Sequence, residues 1–142
     1  GSSFEELAKI LDRVSLAEHI GICLDTCHIN DAGYSLDHFD SVLDQFDRII
    51  GIEKVKVIHL NDSKNERGSH SDRHANIGMG TIGFDNLLSV AVNARTSNVP
   101  KILETPWIDG HSPYKAEISM LKNGAFNAES FIELHEEKQQ TK

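Results

Sequence analysis

Val55-Lys-Val-Ile-His-Leu60 is a short, nearly continuous apolar run that stops beside an imidazole. Such a run is consistent with a strand covered on both faces, as in a parallel sheet. Working outward, the preceding segment from Leu36 to Ile50 places Phe39, Val42, Leu43, Phe46, Ile49 and Ile50 at helical spacing. Gly51 follows as a C-terminal stop. Ile20-Gly-Ile-Cys-Leu-Asp-Thr26 reads as an earlier strand of the same kind. Before it, Ser3 to Val14 predicts an amphipathic helix with Phe4, Leu7, Ala8, Leu11 and Val14 on one side and a Ser3/Glu6 capping box. On the other side of the run, Asn61 to Gly83 is polar, glycine-rich and without periodicity. A loop of that length is usually functional. A helix is predicted from Phe84 to Asn93, then a third strand, Lys101-Ile-Leu-Glu-Thr105, closed by Pro106. Ser112-Pro113 opens a helix through Leu121 with Gly124 near its end. The tail from Ala128 is rich in Glu and Lys and reads as a solvated or frayed helix.

Strands alternating with helices predict an α/β fold of parallel βα units. Three strands leave open edges to manage, so pairing of two such chains is an expectation. The 142 residues, 39% hydrophobic and 25% charged, can bury one domain-sized core. No apolar run approaches the ~20 residues a membrane span needs, and no charged-then-apolar leader opens the sequence. A soluble, cytoplasmic protein with no membrane partner is expected. Cys23 and Cys27 are too few for a disulfide framework and read as two small buried thiols. The net charge of −8 by itself argues against a nucleic-acid partner. Bound divalent cations reverse that argument locally, being the largest charges in a site.

Each predicted strand closes on a potential metal ligand: Asp25, His59 and Glu104. In parallel βα folds functional groups gather at the C-terminal strand ends. Buried carboxylates need a positive partner, and no Arg or Lys lies at these strand ends to supply one. A divalent cation would. His28 follows three residues after Asp25, in a loop on this reading, and the long loop carries Asp72-Arg-His74. Mixed imidazole and carboxylate donors suit zinc or manganese.

Asp25-Thr-Cys-His28, Ala32-Gly33-Tyr34, His59-Leu-Asn-Asp62-Ser-Lys64, Asp72-Arg-His74, the glycine run from Ile77 to Gly83 and Leu103-Glu104-Thr105 together resemble, in order, the motifs of the endonuclease IV family. The resemblance implies a TIM (β/α)8 barrel, of which residues 1–124 would supply a C-terminal portion with about three parallel βα units, and residues 125–142 a tail. It implies a cluster of up to three Zn2+ ions, Asp25, His59 and Glu104 holding one and His28, Asp72 and His74 another, with catalysis carried through the metal. Lys64 and Arg73 would contact DNA phosphates. The implied reaction is base-excision repair: hydrolysis of double-stranded DNA 5′ to abasic sites, leaving a 3′ hydroxyl and a 5′ deoxyribose phosphate. The family's bridging carboxylate and two further histidines match nothing in this sequence, so these residues alone are expected to bind zinc and to cut DNA weakly or not at all. The nearest rival is a metal-dependent sugar isomerase or epimerase of the xylose-isomerase-like barrel superfamily. The loop group of His28, Asp72 and His74 distinguishes the nuclease from it.

Overall fold

The computed structural model describes residues 3–140. Helix α1, Phe4–Asp12, starts where Ser3 Oγ accepts the Glu6 N–H at 3.2 Å. Its Phe4 stacks on Tyr34 with ring centroids 4.2 Å apart and meets Phe46 edge-on. Strand β1, Ile22–Asp25, runs directly into α2, Thr26–Asp31. Helix α3, Phe39–Ile49, follows, and Gly51, at a φ of 116°, turns the chain towards β2, Val55–His59. A small antiparallel hairpin of β3, Asp62–Ser63, and β4, His74–Ala75, interrupts the long polar segment. Then come α4, Phe84–Ala91, and β5, Lys101–Ile102. Helix α5, Tyr114–Asn123, ends on Gly124 in the left-handed region, and α6, Glu129–Gln140, closes the chain.

The main sheet is parallel in the order β1-β2-β5, with Asp25 beside His59 and His59 beside Ile102. Leu24, Ile58 and Leu60 point to the side where α3 and α4 contribute Val42, Leu43, Phe46, Leu87 and Val90, all buried. Full burial of each such side chain contributes about 1.5–3 kcal/mol. This core lies behind the sheet and leaves the C-terminal strand ends free to carry the site. No helix among the described residues is long and apolar enough to cross a membrane.

Five expectations are corrected. Among the described residues the sheet is covered on one face only: Cys23 is exposed and Ile102 retains 47% of its surface on the face that also carries Asp25 and His59. Cys23 is therefore no buried thiol, although Cys27 is. His28 lies in α2 and not in a loop, because the Asp25 carboxylate accepts its N–H and starts the helix there. The third strand stops at Ile102: Leu60 N–H still reaches the Ile102 carbonyl, but the next amide of that register, at Glu104, is taken by the Asn61 side chain. In the tail, Phe131 is buried against the core and His135 pairs with Asp109, so α6 docks at least by its first turns.

Candidate metal centre

Asp25 is the hinge of the site. It ends β1, and its Oδ1 caps α2 by accepting the His28 N–H at 3.1 Å. Its Oδ2 faces two imidazoles, His59 Nδ1 at 3.7 Å and His74 Nε2 at 3.3 Å. The same oxygen accepts the Asn61 side-chain N–H at 3.1 Å. The parallel register delivers His59 next to Asp25, and Glu104 Oε1 closes on the same His59 Nδ1. The β3–β4 hairpin carries His74 back over these strand ends. There the His74 Nδ1 lies 3.1 Å from the Glu104 main-chain carbonyl. A carbonyl only accepts, so Nδ1 holds a proton, and in the neutral ring Nε2 is left with its lone pair towards the site.

Two groups of donor atoms result, each with all members within 4.8 Å of one another. One is Asp25, His59 and Glu104; the other is Asp25, Cys27, Asp72 and His74. Asp25 belongs to both. Among the described residues, the ion-pair partners of Asp25, Asp72 and Glu104 are histidines, never Lys or Arg. Three carboxylates so gathered repel one another unless a cation or protonated imidazole lies between them. The nitrogen and oxygen donor set fits zinc or manganese.

His28, expected to complete the second group, stands at the rim. It is half exposed, and its Nδ1 approaches Asp72 Oδ2 only to 4.0 Å. Cys27 occupies the inner position instead. Burial, followed by the neighbouring Asp31, Asp25 and Asp72 charges, pushes its thiol up to about 12. Sulfur–oxygen contacts reach the Arg73 carbonyl at 3.4 Å and Asp31 Oδ2 at 3.9 Å. Its place between two candidate ligands in Asp25-Thr-Cys-His28 was the available signal. Lys64 and Arg73 are exposed and face each other across the hairpin, the Lys64 N–H donating to the Arg73 carbonyl at 3.0 Å.

Three supporting residues were not singled out from the sequence, although Asn61 and Asp62 stand within the His59–Lys64 motif. Asn61 is fully buried between the strand ends. Asp62, also fully buried, accepts from the N–H groups of Ser63, Gly78, Gly80 and Ile82 at 2.8–3.0 Å, which wraps the glycine run around one carboxylate. Glu117 reaches from α5, its Oε2 accepting the Ile77 N–H at 2.8 Å and its Oε1 the Thr105 hydroxyl at 2.5 Å.

A family profile described as "Xylose isomerase-like TIM barrel" matches residues 1–124. The chain is 54% identical over 132 residues to "Probable endonuclease 4" of Pediococcus pentosaceus, covering 89% of this chain and 45% of that protein. It is 55% identical over 133 residues to the protein of the same name from Listeria monocytogenes, with the same two coverages, 89% and 45%. Among solved structures it resembles endonuclease IV from Thermus thermophilus, with a TM-score of 0.74 and 37% identity over 87% of this chain and 44% of that one. The chain thus spans a little under half the length of the curated relatives it matches.

Proposed function

The chain belongs to the xylose isomerase-like TIM barrel family, and from that premise we propose that it serves zinc-dependent hydrolysis of DNA. The bond cut is the phosphodiester 5′ to an abasic site in a duplex, leaving a 3′ hydroxyl and a 5′ deoxyribose phosphate. A repair reaction on bacterial DNA sets it in the cytoplasm. The relatives named endonuclease 4 support the reaction class. The observation that carries the reading is the position of Asp25, whose carboxylate is common to both donor groups. A shared carboxylate suits two cations close enough to act on one phosphate.

Asp25, His59 and Glu104 would hold one ion, and Asp72 and His74, with His28 closing from the rim, a second. Bound there, zinc supplies an acidified water and neutralises charge on the phosphate oxygens. The chain's own residues do the rest. Glu104 fixes the His74 ring by its carbonyl, so a nitrogen lone pair and not a proton meets the ion. Lys64 and Arg73 hold the DNA backbone by charge. The abasic nucleotide is selected because it is the least costly to swing out of the stack.

The test is zinc per chain by elemental analysis, paired with nicking of a duplex holding one abasic residue. Zinc is expected in the wild type and reduced in Asp25→Asn and Glu104→Gln. Nicking by these residues alone is expected to be weak, confined to the abasic duplex, and to leave an end that a polymerase extends. A folded protein that takes up no zinc at micromolar concentrations defeats the proposal.

A further inference from the structure

Asn61 has no exposed surface, and all its polar groups are engaged. Its main-chain N–H donates to Thr26 Oγ1 at 2.8 Å, and its carbonyl accepts from the same hydroxyl at 2.6 Å. Its side-chain Nδ2 donates to Asp25 Oδ2 at 3.1 Å. Its Oδ1 accepts the Glu104 N–H at 2.8 Å. One amide therefore joins the end of β1 to the segment just past β5, and it does so at the two carboxylate residues that flank His59.

The chemistry of the partners fixes the orientation of this amide. A carboxylate oxygen only accepts and a main-chain N–H only donates, so nitrogen must face Asp25 and oxygen Glu104. Asp at this position would set a second carboxylate against Asp25. Ser is too short to span the gap, and Gln would need space that a fully buried site lacks. Thr26 makes a useful contrast. Its hydroxyl ties the end of β1 to the end of β2, but only through main-chain atoms. Asn61 instead ends on the very oxygen that faces both His59 and His74. By occupying one lone pair of Asp25 Oδ2, it directs another into the space between the imidazoles.

We propose that Asn61 is a positioning residue of the metal centre, orienting the Asp25 carboxylate and setting the Glu104 strand end in register with it. This inference rests on the reading that Asp25, His59 and Glu104 hold a divalent cation.

Zinc affinity, read by competition with a chromophoric chelator, tests it in wild type, Asn61→Ala, Asn61→Asp, Asp25→Ala and the Asn61→Ala/Asp25→Ala double variant. Loss of a group that orients a metal ligand weakens affinity about 10–100-fold, and that loss is expected for both Asn61 variants. In the Asp25→Ala background, Asn61→Ala is expected to add less than about threefold, because the coupled partner is gone. Equal losses in both backgrounds reduce Asn61 to a structural cross-link and overturn the proposal. So does an unchanged affinity in the single variants. A wild type that binds no zinc sinks the metal reading itself, a separate result. NMR of the wild type covers variants that do not fold. The Asn61 side-chain amide protons should exchange slowly and shift on zinc addition. Fast exchange, or resonances unmoved at saturating zinc, overturns the proposal.

Discussion

The His74 ring is tied to the main chain of Glu104, Nδ1 donating to the carbonyl at 3.1 Å, while the Glu104 side chain turns the other way to meet His59. The hairpin imidazole of one donor group is thus fastened to the residue that completes the other. On the proposed reading, replacing His74 by Ala removes a candidate ligand and the tie to the Glu104 carbonyl together. The second ion should be lost outright, and the affinity for the first should fall about tenfold or more. His74→Gln, whose side-chain amide can still donate to that carbonyl, should spare the first site better. Zinc stoichiometry and competition titrations on the two variants check the order.

Asp62 and Gly80 form one unit. The Asp62 carboxylate accepts from five main-chain N–H groups, those of Ser63, Gly78, Gly80, Ile82 and Gly83, and a Cβ on Gly80 would press into that carboxylate and the Ser63 carbonyl. Asp62→Asn turns one acceptor oxygen into a donor against N–H groups and strands them. A cost of roughly 3 kcal/mol is expected. Gly80→Ala should cost about 1–3 kcal/mol through overpacking. Chemical denaturation measures both, and a double variant should lose less than the summed penalties because the sites touch.

Glu117 sets a pH dependence. It is fully buried, and desolvation holds its carboxyl above the ordinary 4.5, opposed by the Ile77 and Thr105 donors. Between 4.5 and the raised folded value, the folded protein binds more protons than the unfolded chain. The stability that Glu117 adds is therefore complete below 4.5 and is lost as the pH rises through the folded value. Glu117→Gln has no such titration. Denaturation midpoints of wild type minus this variant should fall with rising pH, by at most the one-proton limit of about 1.4 kcal/mol per unit. A flat difference contradicts the assignment.

The frame of this molecule was legible because its strands are written in local pattern. Runs such as Val55 to Leu60 and the helical spacing from Phe39 to Ile49 need no distant information. The parallel register then sets Asp25 beside His59 without further instruction. What escaped depends on contacts remote in the chain. Cys23 reads like Cys27, yet which face of β1 is covered depends on elements that pack against it, and among the described residues only one face is. His28 entered a helix because Asp25 capped it, a choice a short polar segment does not announce. Asn61 stands in a motif without any sign of its role, and Glu117 is an ordinary polar residue by sequence. Their weight comes from partners 43 positions away at Glu104 and 40 away at Ile77.

If the chain acts on DNA as proposed, Lys64 and Arg73 bear on how so acidic a surface would approach it. With a net charge of −8, the surface as a whole repels phosphate, so the approach depends on local cations. These two residues are bonded to each other through the hairpin backbone and border the donor group of Asp72 and His74. If each neutralises one phosphate, each alanine variant should weaken binding to abasic and intact duplexes alike. It should also lower the slope of log affinity against log salt by about one. Zinc content should stay at the wild-type level, since neither side chain is a metal donor. Fluorescence anisotropy across a salt series reads the slope. A wild-type slope in both variants would leave the two residues as ordinary surface charge and shift the search for the phosphate contact to Arg67, exposed in the same loop.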